Sequence, residues 1–192
     1  MSSTQITFFG KNGKPKQCAD VRNAWRGAMA IWDILEERYL PPFKPEWAFR
    51  LGVAHEKHHR MSSQNPEDAK AIWGLWEDER LSEAERICIG STFDWVIVQR
   101  KDVSNLLKAF REFNGETSLP DQADAIEDAF KDNDIVAVGW TQTTVSENRW
   151  RSYKYNKLSE ESYPYNLKRH KEHWNLFEEL AKLKTPETAQ PA

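Results

Sequence analysis

The sequence predicts an α+β fold, mostly helical with a small antiparallel sheet. Two observations carry that expectation: apolar residues recur at helical spacing through most of the first half, and the second half mixes this period with short β-branched runs. Those runs do not alternate regularly with helices, as a doubly wound α/β fold requires. The 192 residues suit one hydrophobic core, read as a single domain over 1–185 with a disordered tail over 186–192.

The elements follow in order. ITFFG runs into Lys11-Asn12-Gly13-Lys14, and an Asn-Gly pair between extended stretches predicts a β-hairpin, because both residues tolerate positive φ. From Ala19 the period becomes helical, with Val21, Ala24, Trp25, Ala28, Ile31, Trp32, Leu35 and Tyr39 on one stripe until Pro41-Pro42 ends it. A second helix is expected from Pro45, carrying Trp47, Leu51, Ala54 and His58 on one face. Pro66-Glu67-Asp68 opens a third, with Ala69, Ile72, Trp73 and Trp76 apolar, and Ser82-Glu83-Ala84-Glu85 has the form of a capping box starting a fourth.

Trp95–Gln99 (WVIVQ) reads as a buried strand, followed by a helix through Val103, Leu106, Leu107, Phe110 and Phe113. After Asn114-Gly115, Leu119, Ala123, Ile126 and Phe130 mark another amphipathic helix. Ile135–Thr141 and Arg149–Tyr155 (RWRSYKY) are expected to pair as antiparallel strands, and a last helix over Asn166–Leu183 to pack Trp174, Phe177 and Leu180.

Composition excludes several classes. Nine Trp, nine Phe and five Tyr offset chain entropy, which argues against low-complexity disorder. No run approaches the ~18 apolar residues of a membrane span, and MSSTQITFFG has neither the basic start nor the apolar stretch of a secretory signal. Cys18 and Cys88 lack any C-x-x-C spacing, and Cys88 in RICIGS reads as a buried structural thiol. A cytoplasmic protein without a membrane partner is expected.

The sharpest motif is His55-Glu56-Lys57-His58-His59, which satisfies H-E-x-x-H. On a helix that spacing puts His55 and His59 on one side, where they would hold zinc while Glu56 polarises a water. Lys57 repels a cation there, and no third ligand sits in a recognisable second motif. The expectation is therefore a polar, histidine-rich helix end with no cofactor, and a zinc hydrolase is the alternative. Phosphate-loop, dinucleotide-binding and nucleophile-elbow signatures are absent. Pro120-Asp121 lacks the downstream acid-x-Lys limb of a restriction-type nuclease core. His170 and His173 read as surface or boundary residues.

Charge is strongly divided along the chain. Residues 112–134 hold eight acids against Lys131, a net of −7, whereas residues 149–171 hold seven bases against Glu160 and Glu161, a net of +5. On the acidic helix Asp121, Asp124, Glu127 and Asp128 are expected to border one exposed face, suited to a basic groove. On the basic strand, alternation puts Arg149, Arg151, Tyr153 and Tyr155 on one face, fitted to a protein contact or to single-stranded nucleic acid. Trp25, Trp32, Trp73 and Trp76 read as core. Trp150, Tyr153, Tyr155, Tyr163 and Tyr165 fall in a basic, loop-containing region and read as interface candidates.

The combination of FFGKNGKPKQC leading into NAWRGAMAIW, followed by STFDWVIVQRKDVSNLLKAF, resembles small accessory proteins of tailed bacteriophages and prophages. The resemblance implies a role in the cytoplasm of an infected bacterium. It also implies a non-enzymatic binding function that inhibits a host protein or ribonucleoprotein complex, such as a CRISPR effector or other defence machinery. It carries no catalytic motif, so no functional residue follows from it.

Overall fold

The structure is a computed structural model that describes residues 3–22, 27–63, 65–141, 150, 154–156, 161–163 and 165–184. The Asn12-Gly13 turn joins β1 (Ser3–Gly10) and β2 (Pro15–Arg22) as the expected hairpin. Four helices follow: α1 (Ala28–Tyr39), α2 (Glu46–Arg50), α3 (Pro66–Gly74) and α4 (Glu83–Gly90). The remainder runs β3 (Val96–Gln99), α5 (Val103–Glu112), α6 (Leu119–Ala129), β4 (Ile135–Thr141), β5 (Lys154–Asn156), β6 (Glu161–Tyr163), β7 (Trp174–Asn175) and α7 (Leu176–Lys184). Helices outweigh strands, and the fold is α+β. Among the described residues no helix is long and apolar enough to cross a membrane.

The main sheet has five strands in the order β2-β1-β4-β3-β7. It is antiparallel except at one edge, where β7 lies parallel to β3. Strand periodicity sorts the central side chains between two cores. Ile6, Phe8, Val96, Val98, Val138 and Trp140 join the helices in the larger one, and Phe9, Ile97 and Ala137 join Trp150 and Tyr165 in a smaller one. Burial on both faces explains why VIVQ and IVAVGWT read as near-continuous apolar runs.

Gly139 shows how tightly the smaller core is closed. A Cβ on this residue would meet Trp150 Cζ2 at 2.8 Å, so the absence of a side chain is what lets the indole lie on the strand. The ring's N–H donates to the Trp140 carbonyl at 3.0 Å. Trp150 and Tyr165 are therefore buried anchors, which removes them from the interface candidates.

Local rules hold at several helix starts. Ser82 and Glu85 form the reciprocal capping box, and the Asn65 side chain accepts from the Glu67 N–H ahead of α3. Cys88 is fully buried, and burial pushes its thiol well above the ordinary range.

Five expectations are corrected. The helix from Ala19 begins instead at Ala28: Val21 lies in β2 opposite Thr4, because β1 offers a full ladder of backbone partners, and Gly27 with φ 59° turns the chain before α1. The helix from Pro45 stops after Arg50, where Gly52 adopts φ 72°, a left-handed conformation that side chains resist. The partners of Ile135–Thr141 are β1 and β3, which occupy both its edges, while β5 pairs with β6 in a separate two-stranded sheet. The last helix begins at Leu176, since Asn166–His173 forms turns and Trp174 enters the sheet. Trp73 is exposed, because Ile72 is the residue α3 turns inward, whereas Trp32 and Trp76 pack half-buried against the main core as expected; Trp25 lies outside the described residues.

Candidate functional site

Helix α1 ends at the Leu40-Pro41-Pro42 stop, and the chain then wraps back over it through α2 and an irregular segment reaching Arg60. That return creates a pocket of about 410 Å³, whose lining includes Glu36, Phe43, Lys44, His55, Lys57 and His59. Glu36 and His59 of this lining converge with Asp33, which is not part of the lining itself. Asp33 and Glu36, three residues apart on α1, present their carboxylates on one helix face. His59 is brought against them by the returning chain. Its Nδ1 lies 3.3 Å from Asp33 Oδ1 and 3.7 Å from Glu36 Oε2, and the side chains are 16 %, 15 % and 5 % exposed respectively. Among the described residues this is the only trio of metal-type donors whose ligand atoms all lie within 4.8 Å of one another.

The surrounding groups fix this geometry. The Arg60 guanidinium donates to Glu36 Oε1 at 2.7 Å and to the Pro41 carbonyl at 3.0 Å, and it lies over the Phe43 ring at 5.2 Å. The Arg60 backbone N–H donates to both Glu36 oxygens, at 3.2 and 3.1 Å. One residue thus pins α1 to the end of the returning segment and turns Glu36 Oε2 towards His59. On the other side of the ring, His59 Nε2 is 4.0 Å from Glu37 Oε1, and Glu37 is itself paired with Lys57.

The H-E-x-x-H reading needs correction here. His55 and His59 do not sit one turn apart on a helix, because the segment from Val53 to His59 is irregular. His55 lines the pocket, the Glu56 N–H closes a turn onto the Val53 carbonyl at 3.0 Å, and His58 Nε2 lies 2.9 Å from the same carbonyl while its ring packs edge-on against Trp47. Of the motif's histidines, His59 is the one brought against carboxylates, closest to Asp33 and Glu36 and, at 4.0 Å, Glu37. A sequence scan misses Asp33 and Glu36 because they lie 26 and 23 positions away, on an element chosen for its apolar stripe.

The acidic helix keeps its predicted face. Asp121, Asp124, Glu127 and Asp128 are all exposed on α6. Much of their charge is answered locally, since Arg111 Nη2 contacts Asp124 at 3.0 Å and Glu127 at 2.8 Å, and Lys131 contacts Asp128 at 2.9 Å. On the basic stretch, Arg149, Arg151 and Tyr153 lie outside the described residues. Tyr155 occupies the middle of β5 opposite Ser162, with its side chain likewise outside them. His170 and His173 hold turns: His170 Nδ1 accepts from the Asn166 N–H at 2.9 Å, and His173 Nδ1 bonds the Tyr165 hydroxyl at 2.8 Å. Burial, then the neighbouring His170, holds His173 below the usual histidine range.

The sequence reading also missed an exposed apolar corner. Trp47, Phe49 and Leu51 are 45 %, 59 % and 71 % exposed, and within α2 only Ala48 is buried. Pro45 and Gly52 bracket these residues so closely that five helical positions cannot turn three large side chains inward, and that spacing was the available signal. Glu46 and Arg50, an exposed ion pair on the same turn, flank them with charge of both signs.

No family model, curated protein or solved structure matches this sequence.

Proposed function

We propose that this chain is a non-enzymatic protein of a phage or mobile element that binds and inhibits a host protein or ribonucleoprotein complex, docking on a protein surface through Trp47, Phe49 and Leu51. The observation that carries the reading is their exposure: three large apolar side chains within five residues are left exposed, two on a helix whose only buried side chain is an alanine and one just after it. Exposed aromatic anchors with charged neighbours are the composition of protein contact centres, in which desolvating a few large side chains supplies most of the affinity. The mixed Glu46/Arg50 flank favours a protein over a polyanion, which calls for a track of cations. The acidic face of α6 is a weaker candidate, because Arg111 and Lys131 already answer Asp124, Glu127 and Asp128. Phage origin and a defence-complex target rest on the resemblance of the N-terminal hairpin and first-helix sequence and the Ser91–Phe110 stretch.

The hydrolase alternative required His55, Glu56 and His59 on one helix, and the irregular segment removes that support.

The test introduces a photo-crosslinking residue at Phe49 and, separately, the double substitution Phe49→Asp with Leu51→Asp. A partner crosslinked at 49, recovered in stoichiometric amount by the wild type and lost by the double variant, supports the reading. Equal recovery by the double variant overturns it. So does a concentration-dependent dimer that dissociates on the same substitutions, since the corner is then a self-interface.

A further inference from the structure

We propose that Asp33 Oδ1, Glu36 Oε2 and His59 Nδ1 form a binding site for a divalent transition-metal ion, zinc by its donor set, at the edge of the pocket between α1 and the segment 41–59. The inference is independent of the docking corner.

Geometry supports it first. Ligands about 2.0–2.1 Å from a tetrahedral zinc lie roughly 3.4 Å from one another. The 3.3 and 3.7 Å separations of His59 Nδ1 from the two carboxylate oxygens match that spacing to within a few tenths of an ångström. The two carboxylate oxygens lie within 4.8 Å of each other. The donors are also positioned in advance: two stand on one helix face, and the third adjoins the residue whose backbone N–H holds Glu36. Little conformational entropy is then lost on binding.

Charge points the same way. Asp33 and Glu36 bring two carboxylates to one imidazole in a setting mostly shielded from water. Burying carboxylates this close together costs free energy that a divalent ion offsets. Arg60 does not occupy the place of the metal, because its guanidinium engages Glu36 Oε1 and the Pro41 carbonyl, leaving Oε2 turned to His59. It acts as an orienting group for a ligand carboxylate. Glu37 stands on the far side of the ring, 4.0 Å from His59 Nε2, beyond hydrogen-bond distance and paired with Lys57.

Donor type selects the ion. One imidazole with two carboxylates suits zinc and its neighbours, whereas calcium and magnesium favour all-oxygen sites. Access comes through the pocket, which Glu36 and His59 themselves line and which has room for water as a further ligand.

The experiment uses the full chain, purified without a histidine tag and stripped with a chelator. Titration with Zn²⁺ by calorimetry, and with Co²⁺ by visible absorption, is expected to saturate at a single equivalent with d–d bands of a low-coordinate site. His59→Gln and Asp33→Asn are each expected to weaken Zn²⁺ binding at least tenfold, while His55→Gln leaves it within twofold. Circular dichroism establishes that each variant is folded. The proposal is overturned if wild-type protein shows no saturable binding, an outcome that depends on no variant. It is overturned equally if binding survives His59→Gln and is lost with His55→Gln.

Discussion

Two buried glutamates, Glu36 and Glu85, are each gripped by an arginine at the edge of α1, yet their surroundings differ in one decisive respect. Glu85 is saturated. Its oxygens accept from Arg38 at 2.9 Å, Tyr39 at 2.8 Å, the Ser82 N–H at 2.9 Å and the Ser82 hydroxyl at 2.8 Å, so that α4, its cap and α1 are tied at one carboxylate. Among the described residues the Glu36 carboxylate accepts three hydrogen bonds, all from Arg60, and its second oxygen shares an imidazole with Asp33. A buried carboxylate whose lone pairs are all met by donors is a structural staple. One that faces another carboxylate across a histidine, on a pocket wall, has a place for a cation.

The largest expected effect separates the two. Glu85→Gln puts an amide N–H against an array of donors and leaves Arg38 without its charge partner, so unfolding in urea is expected to show a loss of about 3 kcal/mol. Glu36→Gln keeps a carbonyl oxygen for the Arg60 N–H and removes a carboxylate that repels Asp33. It also leaves the Arg60 guanidinium, 12 % exposed, without its charge partner, so its cost in stripped protein is expected at about 2 kcal/mol, below that at Glu85. Equal losses break the distinction. The same contrast has a pH signature. Burial opposes ionisation of Glu85, but the hydrogen bonds from Ser82, Tyr39 and Arg38 together outweigh it and hold the carboxyl below its ordinary 4.5. With a depressed folded value, the unfolded state binds more protons in that interval, so this contribution is complete above 4.5 and is lost as pH falls through the folded value. Urea midpoints of Glu85→Gln are expected to fall less steeply than wild type in this acid window.

Zinc provides the next and smaller discrimination. At a free concentration ten times Kd, an ion that binds only the folded chain stabilises it by about 1.4 kcal/mol. Thermal melts are expected to show that gain for wild type and for any folded Glu85→Gln protein, and none for Glu36→Gln. A rise in Tm for Glu36→Gln sinks the assignment of that oxygen as a ligand.

How much of this was legible in the sequence follows from the range of each interaction. The Ser82–Glu85 box is local, three residues apart, and was read directly; the hairpin at Asn12-Gly13 and the buried runs VIVQ and IVAVGWT were equally local signals. Long-range pairing was not legible. Val21 sits at helical spacing with Ala28 and Ile31, but β1 claims it for the sheet, and nothing near RWRSYKY announces that both edges of Ile135–Thr141 are already filled by β1 and β3. The candidate site failed for the same reason. His59 was singled out with His55 because the two are close in sequence, whereas its partners lie on α1. Gly52 was the available correction, since a residue at φ 72° ends α2 before the motif begins.

A third arginine tests whether burial, rather than the number of contacts, separates these carboxylates. Arg111 engages Asp124 and Glu127 much as Arg38 and Arg60 engage their partners, but its side chain is 44 % exposed and theirs 75 % and 55 %. Water already solvates all three, and the pairs hold long side chains at an entropic cost. Arg111→Ala is therefore expected to change stability by no more than about 0.5 kcal/mol, shrinking further with added salt. It also unmasks the acidic face of α6. Binding of a partner at Trp47, Phe49 and Leu51 is expected to be unaffected by Arg111→Ala, so a several-fold change in affinity measured by calorimetry transfers the contact from the aromatic corner to the carboxylates of α6.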